Sequence, residues 1–169
     1  KYIAFLEGDD YWINRRKLAM QVRFLETNPD YFLCSHKTMI QMGDQLYKKE
    51  WRLNKFRETY SVQDYVKRLF FHTSSIVLRK SGTLPKWLES IMQLDQALVI
   101  LNSNKSSNKI KIIPEFMSVY RLHSDGITQS SAHKNRDLAR WSHARLLCGI
   151  ARECPWISRV SVRNKLREL

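Results

Sequence analysis

At 169 residues, with 43% apolar composition and five tryptophans, the chain can bury a core of its own and is too hydrophobic for a disordered segment. Twenty-nine Lys and Arg against 16 Asp and Glu leave a net charge of +13, a field that favours polyanions: nucleic acid, anionic lipid or phosphorylated substrates. Cys34, Cys148 and Cys154 form no CxxC pair and fit reduced thiols in a cytoplasmic compartment, not a disulfide framework, and no apolar run approaches the roughly 20 residues that cross a bilayer.

Residues 2–6 form a short apolar run bounded by Gly8 and predict a buried strand. Asn14 is placed to cap a helix to about Thr27, with Leu18, Val22 and Leu25 on one face, and Asn28-Pro29 ends it. Tyr31 to Ser35 is a second strand-like run. Residues 41–60 read as polar and irregular, with a basic cluster of Lys48, Lys49, Arg52, Lys55 and Arg57. Ser61 opens a helix to about Phe70, with Asp64 in the capping-box position. Thr73 to Arg79 reads as a strand, and Leu84–Ile91 and Leu94–Asn102 as two short helical segments. After a loop at 102–108 come strands Lys109–Ile113, ended by Pro114, and Phe116–Leu122; Ser124-Asp125-Gly126 is a turn.

From His133 the pattern is helical and basic. Nine Lys and Arg against three acids give this tail +6 of the total charge. Leu138, Trp141, Arg145, Cys148 and Arg152 fall on one face, with Leu147, Ile150 and Ala151 beside it. The alternation of strands and helices predicts an α/β or α+β domain.

The acidic cluster Glu7-Gly8-Asp9-Asp10 follows directly on an apolar strand, where ligands of open α/β sheets gather. Carboxylates at this spacing can direct oxygens to one hard divalent cation, with Gly8 easing the bend between them. The same residues also suit a solvated acidic turn feeding a helix N-terminus. Spacing alone leaves both readings open.

Residues 2–12, Tyr-Ile-Ala-Phe-Leu-Glu-Gly-Asp-Asp-Tyr-Trp, resemble the metal-binding motif of family 2 inverting glycosyltransferases of the GT-A fold. The helix from Lys17 to Glu26 and the Asn-Pro-Asp-Tyr at 28–31 resemble the family's continuation. A second stretch, Tyr120-Arg121-Leu122-His123, is similar to the family's Tyr-Arg-x-His signature. The resemblance implies a partial GT-A-type, Rossmann-like mixed sheet flanked by helices over residues 1–128, with a basic helical extension at 129–169. It implies Glu7, Asp9 and Asp10 as metal ligands joined by His123, with Arg121 and His123 on the donor diphosphate. Asp95 is the candidate general base, with Glu89 the other acid in reach, and Trp12, His72 and Thr73 lie on the acceptor side. Trp51 and Trp87 are further candidates to stack on sugar rings.

The implied reaction is metal-dependent, inverting transfer of a sugar from a nucleotide-sugar donor, of the UDP-sugar kind, to a glycan or lipid-linked acceptor in polysaccharide biosynthesis. Mn²⁺ or Mg²⁺ is the expected cofactor, and the expected location is cytoplasmic. The charge of the basic tail, which the resemblance does not cover, suits either peripheral contact with an anionic inner leaflet or a solvated helix packed on the catalytic domain. Nothing here matches the family's opening nucleotide-binding segment. The resemblance therefore implies a missing N-terminal part, a strand 2–6 meant for the middle of a sheet, and a 169-residue chain that does not transfer sugar by itself. The competing expectation is a basic nucleic-acid-binding module without catalysis, which explains the charge but neither motif; no nucleic-acid motif is present.

Overall fold

A computed structural model describes residues 1–48, 56–82, 84–123 and 136–169. Trp51, most of the basic cluster (Lys49, Arg52, Lys55), the turn at 124–126, His133 and the 128/129 boundary lie outside the described residues.

The chain is a mixed α/β fold. Seven strands, β1 (Tyr2–Ala4), β2 (Tyr11–Trp12), β3 (Tyr31–Met42), β4 (Gln45–Tyr47), β5 (Thr59–Ser61), β6 (Val77–Arg79) and β7 (Lys109–Leu122), form one sheet. Its order is β1-β6-β3-β7-β2, with β4 added on β3 and β5 on β7. β3 and β7 run parallel and the other pairs antiparallel. With helices α1 (Lys17–Thr27), α2 (Val62–Lys67), α3 (Leu94–Leu101), α4 (Arg136–Glu153) and α5 (Arg159–Arg167), this is a mixed sheet flanked by helices, as a partial Rossmann-like arrangement requires. β1 stands at one end of the order and pairs with β6 alone among the described residues.

Several elements differ from the sequence expectation for physical reasons. β3 reaches Met42 because its inward polar residues are satisfied: Ser35 Oγ meets Ser75 Oγ at 2.7 Å and Thr38 Oγ1 meets Ser118 Oγ at 3.0 Å. A turn through Gly43, at φ +57°, then returns the chain as β4. β7 does not stop at Pro114. The ladder passes from His36↔Ile113 to Lys37↔Phe116, so Pro114 and Glu115 are absorbed as an irregularity where the missing N–H breaks no regular pair. Residues Thr73–Ser75 and Lys86–Ser90 are 3-10 turns. The capping box at α2 forms as expected, Ser61 Oγ accepting from the Asp64 N–H at 3.2 Å and Asp64 Oδ2 from the Ser61 N–H at 2.9 Å.

α1 buries Leu25 of the expected apolar face, with Val22 packed beside it, and adds two polar residues. Lys17, Gln21 and Leu25 are its buried residues, while Leu18 is 40% exposed. The Gln21 amide donates to the Cys34 carbonyl at 2.6 Å and to the Ser75 carbonyl at 2.8 Å, tying α1 to β3 and to the segment ahead of β6. Asn14 makes a side-chain turn to the Arg16 N–H at 2.8 Å, one step ahead of the helix.

α4 packs through the residues beside the Leu138–Arg152 face. Leu146, Leu147 and Ile150 join Ile157, Val162, Phe70, Ala97 and Ile100 in the main core, whereas Leu138, Trp141, Cys148 and Ala151 are exposed. Gly149 lies against the Trp87 ring, where a Cβ would sit 2.5 Å from the nearest ring carbon. No helix among the described residues is long and apolar enough to cross a membrane.

Candidate functional site

The acidic residues sit where two sheet pairings meet. β1 is continued by the Phe5 N–H, which donates to the Ile76 carbonyl at 3.2 Å, and the Asp10 N–H closes a turn on the Glu7 carbonyl at 3.2 Å. Gly8 is not required for that turn: its φ is not positive and a Cβ there would meet open space. β2 then pairs with β7 in the register Tyr11↔Val119 and Trp12↔Ser118. This delivers the turn against the end of β7, where Arg121 and His123 lie.

On the outer side, His123 Nε2 lies 2.9 Å from Asp9 Oδ2 and the Arg121 guanidinium donates to the Asp9 carbonyl. Asp9, Arg121, His123, Gln41, Gly43 and Leu122 line an open cavity of about 410 Å³. The hydrogen bond from His123 holds the Asp9 carboxyl below its usual range, so Asp9 is an anion at neutral pH. Arg121 offers the cavity a planar fork suited to phosphate oxygens.

On the inner side, His72 comes from the segment ahead of β6. Its Nδ1 is 3.3 Å from Asp10 Oδ2 and its Nε2 3.8 Å from Glu7 Oε2. One ligand atom from each of Glu7, Asp10 and His72 lies within 4.8 Å of the others, and this is the group of three among the described residues able to hold a metal ion. Asp10 Oδ1 accepts the Arg121 backbone N–H at 3.1 Å, whereas Oδ2 is sealed from solvent without a hydrogen bond of good geometry.

Burial, reinforced by the charges of Asp10, Asp95 and Asp9, pushes Glu7 up to about 7. Burial likewise lifts Asp10 to about 6, against the pull of the Arg121 N–H. His72 is lowered to about 4 by burial and is neutral at pH 7. Two carboxylates that resist ionising and a neutral imidazole form a donor set that a divalent cation would relieve.

The remaining sequence candidates fall around this pair of clusters. Thr73 Oγ1 donates to Asp95 Oδ2 at 3.0 Å, placing Asp95, in the first turn of α3, beside the inner group. Glu89 is exposed on the 3-10 turn at Lys86–Ser90. Trp12 is half-buried: its indole N–H donates to the Ser74 carbonyl at 3.0 Å, and the Lys17 ammonium lies 4.2 Å from its ring centre. Glu7, Asp9, Asp10 and His123 do not converge as one set of four; Asp9 turns outward to His123 while Glu7 and Asp10 face His72.

The sequence reading missed His72 as a partner of the acids, and it missed Lys17 under the Trp12 ring and Gln21 on the Cys34 and Ser75 carbonyls as buried supports. The available signal was a histidine followed by three hydroxyl residues directly ahead of an apolar strand.

No family model matches the chain. Uncharacterized proteins of Mycobacterium bovis and Mycobacterium tuberculosis are 31% identical over 131 residues, covering 78% of this chain and 37% of theirs. The UDP-Glc:alpha-D-GlcNAc-diphosphoundecaprenol beta-1,3-glucosyltransferase WfaP of Escherichia coli is 26% identical over 156 residues, 89% of this chain and 56% of that protein. The chain thus spans well under two thirds of the curated relatives it matches, and the similarity to WfaP relates it to a glycosyltransferase.

Proposed function

We propose that these residues are the metal- and donor-diphosphate-binding part of a nucleotide-sugar-dependent, inverting glycosyltransferase. In this proposal residues 1–128 form the latter part of a GT-A catalytic domain of family 2, and 129–169 a basic helical extension. The observation that carries it is the β2–β7 pairing, which sets Glu7-Gly8-Asp9-Asp10 against Arg121 and His123 from more than a hundred residues away.

The donor diphosphate occupies the cavity at Asp9, Arg121 and His123, with Arg121 bidentate on its oxygens. Glu7, Asp10 and His72 would hold the divalent cation, which when bound would supply charge neutralisation to the departing diphosphate. An acceptor hydroxyl attacks the anomeric carbon from the face opposite the leaving group. The new C–O bond forms as the bond to the diphosphate breaks, and the hydroxyl proton passes to the Asp95 carboxylate. A single displacement inverts the anomeric centre. Thr73 orients Asp95 through its hydrogen bond, and Trp12 keeps the 72–75 segment in place.

A UDP-sugar donor, a glycan or lipid-linked acceptor, a cytoplasmic location and the absence of turnover by these 169 residues alone all belong to the proposal. Its test is therefore binding. Calorimetry with UDP should show heat only when Mn²⁺ or Mg²⁺ is present, and Asp10→Asn should abolish the metal-linked part. Steeply salt-dependent binding to DNA, without metal-linked nucleotide binding, would instead establish the nucleic-acid reading that the +13 charge favours.

A further inference from the structure

α4 has two apolar stripes, and one of them enters the core. The inward stripe carries Leu146, Leu147 and Ile150 into the core. The outward stripe places Leu138, Trp141, Arg145, Cys148 and Arg152 at spacings of three and four, with Leu138 46% and Trp141 51% exposed. One exposed apolar residue on a helix is ordinary. A stripe that joins exposed leucine and tryptophan to arginines is the pattern of a helix lying in a lipid–water interface.

Local geometry supports that pattern. The Arg145 guanidinium lies over the Trp141 ring, 4.7 Å from its centre, so an apolar body and a cationic head share one patch, as side chains that snorkel do. α5 repeats the composition: Val160 is 56% exposed and is flanked by exposed Arg159, Arg163 and Arg167.

The two acids of α4 and Glu168, just past α5, are each matched locally, Asp137 with Arg140 at 3.9 Å, Glu153 with Arg152 at 3.0 Å and Glu168 with Lys165 at 2.6 Å. Arg145, Arg159, Arg163 and Arg167 have no acidic partner among the described residues. A phosphate-reading surface would need the arginines but not the exposed aliphatic and indole groups.

We propose that the outward face of α4, with the arginines of α5, docks this protein on an anionic lipid leaflet. Leu138 and Trp141 enter the headgroup boundary, and Arg145 and its neighbours meet lipid phosphates. The proposal stands apart from the sugar-transfer reading, because none of these residues belongs to the acidic site.

The test is co-sedimentation of the 169-residue chain with phosphatidylcholine vesicles, with and without phosphatidylglycerol. Binding is expected only to the anionic vesicles, weakening with salt, with a blue shift in the emission that Trp141→Phe removes. Arg145→Gln with Arg159→Gln and Arg163→Gln should lower partitioning about 100-fold, at roughly fivefold per charge. Leu138→Ser with Trp141→Ser should lower it while leaving the melting temperature unchanged. Should that pair lose stability, the Trp141 emission shift in the otherwise unaltered protein decides the matter.

Binding to neither vesicle, or equal binding to both, overturns the proposal. So does anionic binding indifferent to the apolar substitutions, and so does DNA binding that needs the arginines alone.

Discussion

On the inner side of the acidic turn, Asp10 and His72 are shut away from solvent with an unbonded carboxylate oxygen between them. On the outer side, one residue earlier in the chain, Asp9 meets His123 and Arg121 at the rim of an open cavity. Both sides present carboxylate and imidazole, yet burial lifts Asp10 and lowers His72, while a hydrogen bond lowers Asp9. Environment, not residue type, divides four consecutive positions between a dehydrated group short of a cation and a hydrated group with its charges already matched.

The strongest way to break this comparison is to exchange the sides. Asp10→Asn should cost metal affinity about 100-fold or more, since even partners of metal ligands are worth 10–100-fold. Asp9→Asn should leave metal affinity nearly intact; titrating Mn²⁺ into both variants checks the contrast, and equal losses would erase the distinction.

The pH dependence comes next. Metal affinity should rise about a hundredfold per pH unit below about pH 6, about tenfold per unit between about 6 and 7, and level off above, because both Asp10 and Glu7 must lose protons to bind. Without metal the sign reverses. Both carboxyls hold protons more tightly folded than unfolded, so their contribution to stability is present at low pH and is lost as pH rises from about 4 to about 7. Melts in chelator, compared with a Glu7→Gln/Asp10→Asn variant, should show this difference.

Gln21→Ala, which strands the Cys34 and Ser75 carbonyls, should lower stability by about 2 kcal/mol in chemical denaturation. It should loosen the inner side more than the outer. The smallest effect is expected from His123→Ala: nucleotide affinity about fivefold weaker, read by calorimetry, with metal binding at the inner group unchanged.

The sequence shows some of this organisation well. Ser61 and Asp64 announce the start of α2, since a capping box is local chemistry. The acidic run and Arg121/His123 are visible as separate motifs, and the structure brings them together across β2 and β7. Hydrophobic periodicity finds Val22 and Leu25 of α1 but not Lys17 and Gln21, which are buried by what they bond or stack on rather than by being apolar. For α4 it leaves the buried side undecided, because two apolar stripes compete and only tertiary packing chooses between them. His72 is hidden for a related reason: its neighbours Glu7 and Asp10 lie more than 60 positions away, joined to it through the β1–β6 pairing.

The contact between Gly149 and Trp87 acts on α4 as a keyway. A bare backbone at this position admits the indole, and a Cβ would sit 2.5 Å from a ring carbon. A single methyl group, in Gly149→Ala, would therefore require the Trp87 ring, the helix or both to shift. On the helix this glycine lies about 80° round from Trp141, at the border between the core-facing and outward residues, so a shift there would disturb both.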